Sequence, residues 1–161
     1  MTEFILNKQA LKSAEDLTTP TSTAKYGLGF EVETIDENDD VRKYIYVKNG
    51  SGALTAADAV VVTPAFSVAT PATAAFTVIG GIANVAVAAN AYFFLQIKGK
   101  TIASTAAGVT ANNTGKLTNT NKTVTDESGA VQTAKTFCVF NEGLAAAGKA
   151  SVTLFGIGQQ I

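Results

Sequence analysis

Covalent chemistry in this chain has little to draw on, because it holds no histidine and a single cysteine, Cys138. The setting Phe137-Cys138-Val139-Phe140 is apolar, so the thiol reads as a small hydrophobe buried on a strand. Without an imidazole to take its proton it is not a nucleophile. One cysteine also excludes an intrachain disulfide and a cysteine-cluster metal site. The acidic run Asp36-Glu37-Asn38-Asp39-Asp40 offers carboxylate oxygens to a cation, yet it lacks the ligand spacing and glycine of a calcium loop and reads as a solvated hairpin tip. Glu31 and Glu33 lie two apart on one strand face, where they balance nearby Lys and Arg instead of forming a catalytic pair. Gly27-Leu28-Gly29 and Gly80-Gly81 do not join a strand to a helix and are not phosphate loops. Asn112-Asn113-Thr114 and Asn121-Lys122-Thr123 match the N-glycosylation pattern, but no secretory leader is visible and both sit in a Thr/Asn-rich stretch. No catalytic constellation, metal cluster or cofactor fingerprint emerges. The expectation is a non-enzyme with no cofactor and no small-molecule substrate.

The composition narrows the class further. The 161 residues suffice for one domain with a hydrophobic core. At 47% hydrophobic and 16% charged, the chain is charge-poor and is suited to packing against protein. It carries 12 basic and 13 acidic residues, with the bases scattered singly apart from Arg42-Lys43. Nucleic-acid binding, which needs concentrated cations, is not expected. Residues 76–95 are uncharged and long enough to cross a bilayer, but Gly80-Gly81, Asn84 and Asn90 interrupt them. Two short strands with turns at Gly80-Gly81 and Ala89-Asn90 fit better than a membrane helix.

The elements that follow are mostly short strands. Residues 1–25 read as an extended arm: Asn7 caps a short helix through Leu17, with Leu6, Ala10, Leu11 and Ala14 on one face, and a Thr/Pro/Ser linker follows. Residues 26–161 read as an independently folding β-domain. It opens with a hairpin in which Val32 opposes Ile45 and Phe30 opposes Val47 on the buried face. Strands are expected at 59–63, 76–79, 82–88, 92–98, about 100–104, 135–140 and 150–155. Phe93, Leu95 and Ile97 share one face of their strand; Tyr92, Phe94, Gln96 and Lys98 share the other. Residues 110–134, rich in Asn, Thr and Gly, form a polar surface excursion or weak hairpin. The fold class is all-β, a compact antiparallel β-barrel or β-sandwich.

Several of these stretches carry a resemblance. They are Lys43-Tyr44-Ile45-Tyr46-Val47-Lys48, the run Gly52-Ala53-Leu54-Thr55-Ala56-Ala57-Asp58-Ala59-Val60-Val61-Val62, the strand Tyr92-Phe93-Phe94-Leu95-Gln96-Ile97-Lys98-Gly99-Lys100 with its Gln-x-Lys-Gly ending, and the closing Glu142-Gly143-Leu144-Ala145-Ala146-Ala147-Gly148-Lys149-Ala150-Ser151-Val152-Thr153-Leu154. Together the chain over most of residues 28–155 resembles the small head-decoration, or cement, proteins of tailed bacteriophages. The N-terminal arm and the 110–134 insertion depart from that pattern. The resemblance implies a β-barrel or sandwich made in the host cytoplasm that sits on the outer surface of an assembled capsid. It further implies trimers that lock neighbouring major capsid subunits. On this reading the residues expected to meet a partner are Phe4, Ile5, Leu6, Leu11 and Leu17 of the arm, with Tyr92 and Phe94 on an uncovered face. The rival readings are a tail-tube or head–tail connector subunit, and a receptor- or carbohydrate-binding β-module, which the absence of Trp disfavours.

Overall fold

Polar–apolar alternation fails where a strand is covered on both sides, as several strands of this chain are. In the computed structural model, which describes residues 3–5, 11, 13–69, 79–118, 122–127 and 136–156, Tyr44, Ile45, Tyr46 and Val47 are all buried in one strand. Phe93, Phe94, Leu95, Gln96 and Ile97 are all buried in another. The strands among the described residues are β1 (Glu3–Ile5), β2 (Glu31–Asp36), β3 (Val41–Asn49), β4 (Asp58–Val62), β5 (Ser67–Ala69), β6 (Ile79–Ala83), β7 (Tyr92–Ser104), β8 (Thr114–Leu117), β9 (Val124–Asp126), β10 (Thr136–Phe140) and β11 (Lys149–Phe155). The helical content described is one 3₁₀ turn, Ala14–Leu17.

The sheet order is β1-β2-β3-β5-β4-β6-β7-β11-β10-β8-β9, and β3 also pairs with β7. That extra ladder, from Lys43↔Lys98 to Lys48↔Tyr92, joins β3, β5, β4, β6 and β7 into a closed ring. The fold is therefore an all-β barrel with flanking strands. Its pairings are antiparallel except β3–β5, which run parallel over Lys48↔Ser67 and Asn49↔Val68. Ile45, Val47, Val60, Val62, Phe93, Leu95 and Ile97 fill the ring. β4 turns its other face, Ala59 and Val61, to a second core with Leu117, Val124, Phe137, Phe140, Val152 and Leu154 of β8–β11. A third core lies outside the β3–β7 ladder, where Tyr44, Tyr46 and Phe94 meet Val32, Leu11 and Leu17, with Tyr26, Phe30 and Tyr92 at its margin. Each fully buried large side chain contributes about 1.5–3 kcal/mol, so covering both faces of β3 and β7 concentrates stability there.

The structure corrects several expectations. The β2–β3 register is Val32↔Tyr44 and Glu31↔Ile45, one residue away from the expected pairing. The turn decides it: the Asp36 N–H donates to the Asp40 carbonyl and Asp39 takes φ 60°, so Asp36 faces Asp40 across the hairpin end. Burial on both faces of β3 leaves the apolar pattern unable to choose. Gly80-Gly81 is not a turn but lies inside β6, opposite Val61 and Val60, and a Cβ on Gly81 would run into Leu95. The strands expected at 92–98 and 100–104 are one, β7. Most of the strand expected at 76–79 lies outside the described residues. In the 110–134 stretch the hairpin alternative holds, since β8 and β9 pair; their Leu117 and Val124 are core residues, so the described part is no surface excursion.

The helix expected from Asn7 is replaced, over its described part, by the 3₁₀ turn, with Ser13 accepting from the Glu15 N–H at its start. Leu11 and Leu17 are not free for a partner, because they are buried in the third core of this chain. Asp16 ties the segment down, accepting from the Lys25 ammonium at 2.6 Å and from the Tyr26 hydroxyl at 2.5 Å. Leu17→Ala is therefore expected to cost about 2–3 kcal/mol, read as a lower urea midpoint with unchanged m-value. Gly99 carries the sharper constraint. It has φ 89°, and a Cβ there would strike the Val41 carbonyl and Arg42 Cα. Gly99→Ala is expected to destabilise by about 2 kcal/mol or more. Gly52→Ala, at a position with open space around it, is expected to change stability by less than about 1 kcal/mol.

Candidate interaction surface

The bend at Gly99 is clamped by one buried amide. Gln96, 1% exposed, donates through Nε2 to the Lys98 and Lys100 carbonyls, both at 3.1 Å, on either side of the glycine. Its Oε1 accepts from Asn84 Nδ2 at 2.6 Å, and the Thr101 hydroxyl donates to Asn84 Oδ1 at 2.9 Å. Every hydrogen-bonding atom of the Gln96 side chain is thus engaged, which is what makes a buried amide tolerable. The clamp fixes the backbone from which Lys98 and Lys100 project into solvent.

Pairing brings further charge to the same place. β11 runs beside the second half of β7, with Lys149 opposite Ser104, Ser151 opposite Ile102 and Phe155 opposite Lys98. Arg42 enters from β3, its Nη2 2.9 Å from Asp36 Oδ2. An open cleft of about 400 Å³ lies among Arg42, Ala56, Ala57, Asn84, Gln96, Lys100, Thr101, Ile102 and Lys149, with no carboxylate in its lining. Ala57 holds φ 80° at its wall, where its carbonyl accepts from the Ser104 N–H at 2.9 Å. Among the exposed large apolar side chains, Ile102 (47%) lines the cleft, while Val41 precedes Arg42 and Phe155 faces Lys98 across the strands.

Burial alone would raise the Asp36 carboxyl. The N–H groups of Asn38 and Asp40 and the charges of Arg42 and Lys100 outweigh that and hold it below its ordinary 3.8. Asp36 is thus not part of a solvated tip, although Glu37, Asn38 and Asp39 around it are exposed.

The residues expected to form a docking face are dispersed. Phe4 and Ile5 sit in β1, paired with Ile35 and Thr34; Leu6 lies outside the described residues. Phe94 is interior, packed against Tyr26, Phe30 and Tyr46, so it forms no uncovered face. Tyr92 is half-buried, stacked near Tyr46 and under the Lys48 ammonium. Glu31 does meet a cation, Lys43, at 2.6 Å. Cys138 is buried, with burial pushing its thiol up to about 12. Of the two glycosylation-like triplets, Asn112 is exposed in a left-handed turn, and Asn121 lies outside the described residues. Among the described residues, no group of three or more His, Cys, Asp or Glu is placed to hold a metal ion, and no helix is long and apolar enough to cross a membrane. The lysine cleft escaped sequence reasoning because its cations come from three strands; its one local signal was Lys98-Gly99-Lys100.

A scan against protein-family models finds no match for the chain, and a search of curated proteins finds no significant one.

Two outcomes follow for the clamp and the ion pair. Gln96→Leu strands the Lys98 and Lys100 carbonyls and the Asn84 amide, and is expected to cost about 2–4 kcal/mol in chemical denaturation. The folded chain binds the Asp36 proton more weakly than the unfolded one. The stabilisation is therefore complete above about pH 4 and is lost as pH falls through the lowered folded value. Asp36→Asn should flatten the acid limb of the melting temperature–pH curve.

Proposed function

We propose that this chain is a virion structural subunit that binds the outside of an assembled phage capsid and stabilises it by bridging major capsid subunits, as a homotrimer when bound. The segments that resemble decoration proteins are the ones that build the barrel and its flank: 43–48 in β3, 52–62 leading into β4, 92–100 in β7 and 142–154 leading into β11. The observation that carries the reading is the exposed surface around the cleft. There exposed Ile102 and Phe155 stand with exposed Lys98, Lys100 and Lys149 on β7 and β11, which pair with each other and are flanked by β3 and β10. Such a surface offers apolar contact area with a charged rim, the composition of a protein interface. On a symmetric lattice each further contact is made at high effective concentration, so individually weak contacts suffice.

The test is co-sedimentation of the purified chain with expanded, undecorated heads. Saturable binding with a fixed stoichiometry, together with heads that resist heating better than bare ones, is the expected result. Stacked rings forming without heads would instead indicate a tail-tube subunit, and no binding to heads would contradict the proposal.

A further inference from the structure

We infer that the cleft between Arg42, Lys100 and Lys149 is the part of this surface that receives the capsid, and that its occupant is an acidic segment of a major capsid subunit carrying an apolar residue beside its carboxylates. This rests on the capsid reading above and names the partner chemistry at that site.

The charge distribution argues for it. Across the chain 12 bases meet 13 acids, yet the cleft is lined by three cations and no carboxylate, with exposed Lys98 one residue beyond the Gly99 bend. Asp36 pairs with Arg42 and also feels the charge of Lys100; no ion pair engages Lys98, Lys100 or Lys149 among the described residues. Cations gathered at one place in a nearly neutral chain favour an anionic occupant and disfavour like charge. The apolar neighbours select the type of anion. Ile102 lines the cleft, and exposed Phe155 lies opposite Lys98 on the neighbouring strand, which suits a peptide with side chains of both kinds better than a phosphate backbone, whose binding needs an extended basic track. Preorganisation adds to this: Gln96 holds both lysine carbonyls and β11 pairs with β7 from Lys98 to Ser104, so the ordering cost falls mainly on lysine side chains.

The experiment compares head binding by the wild type, Lys100→Glu/Lys149→Glu, and a control with the same charge change elsewhere, Lys48→Glu/Lys116→Glu. Melting curves verify that each is folded, and Lys100→Gln/Lys149→Gln provides a milder variant should the first fold poorly. The expected result is a loss of about tenfold or more for the cleft Glu pair, a smaller loss for the Gln pair, and a change within about twofold for the control. Wild-type affinity should fall as salt rises from about 50 to 300 mM. Equal binding by cleft and control variants overturns the inference while leaving the capsid reading intact. A wild type that binds no heads removes that reading and the inference with it. If the cleft variants bind heads normally but lose self-association, the occupant is a second copy. If they lose only retardation of DNA in a gel, it is nucleic acid. Either outcome overturns the inference.

Discussion

Everything in this molecule hangs on the ladder between β3 and β7. Without it the strands form one long open sheet; with it five of them close on themselves and the barrel acquires an interior. Closure pairs the edges that β3 and β7 would otherwise expose to other chains, leaving β1 and β9 at the ends of the sheet order. It also dictates the residues on these strands. Inward positions take Ile45, Val47, Phe93 and Leu95, while outward ones take Tyr44, Tyr46 and Phe94, because Leu11, Leu17, Tyr26 and Phe30 cover that side with a further core. Small residues are needed where strands approach closely, hence Gly81 against Leu95 and Gly99 against the carbonyl of Val41.

The same strand that closes the barrel builds the surface proposed for docking. β7 pairs with β3 up to Lys98 and with β11 from Lys98 onward, and the change of partner occurs at the Gly99 bend that Gln96 holds. A chain with few charges can therefore present a locally cationic face without any basic run in its sequence. Its lysines are brought together by topology, and their supports are among the least exposed groups in the protein. On the capsid proposed as its partner, where neighbouring sites would be fixed by the lattice, a rigid face would lose little entropy on binding and gain by repetition.

How much of this was legible follows from what each residue's pattern can encode. The all-β class, β4, β10, β11 and the strand at 92–98 were readable because β-branched and aromatic residues cluster in short runs between turn signals. The hairpin register was not. Choosing it needs one wet face, and β3 has none; the Asx-type bonds of Asp36 and the left-handed Asp39 fix it instead. The N-terminal segment looked like an arm because Leu11 and Leu17 are spaced among charges, and only tertiary contact with Tyr44, Tyr46 and Phe94 makes them core. Gly80-Gly81 looked like a turn because a glycine pair carries the same letters whether the chain bends or another strand crosses closely. The cleft was illegible for the plainest reason: Arg42, Lys100 and Lys149 are far apart in sequence and meet only through β-pairing.

Site-resolved amide hydrogen exchange tests the central role of the closing ladder most directly. If closure holds the molecule together, the hydrogen-bonded amides of residues 44–48 and 93–97 exchange only through global unfolding, with opening free energies equal to the denaturation value. The β8–β9 hairpin, at the far end of the sheet order, then opens at lower free energy. The contradicting result is exchange of the β3–β7 amides by a sub-global opening while β4 and β6 stay protected, which would mean the ring opens at its seam without loss of the fold.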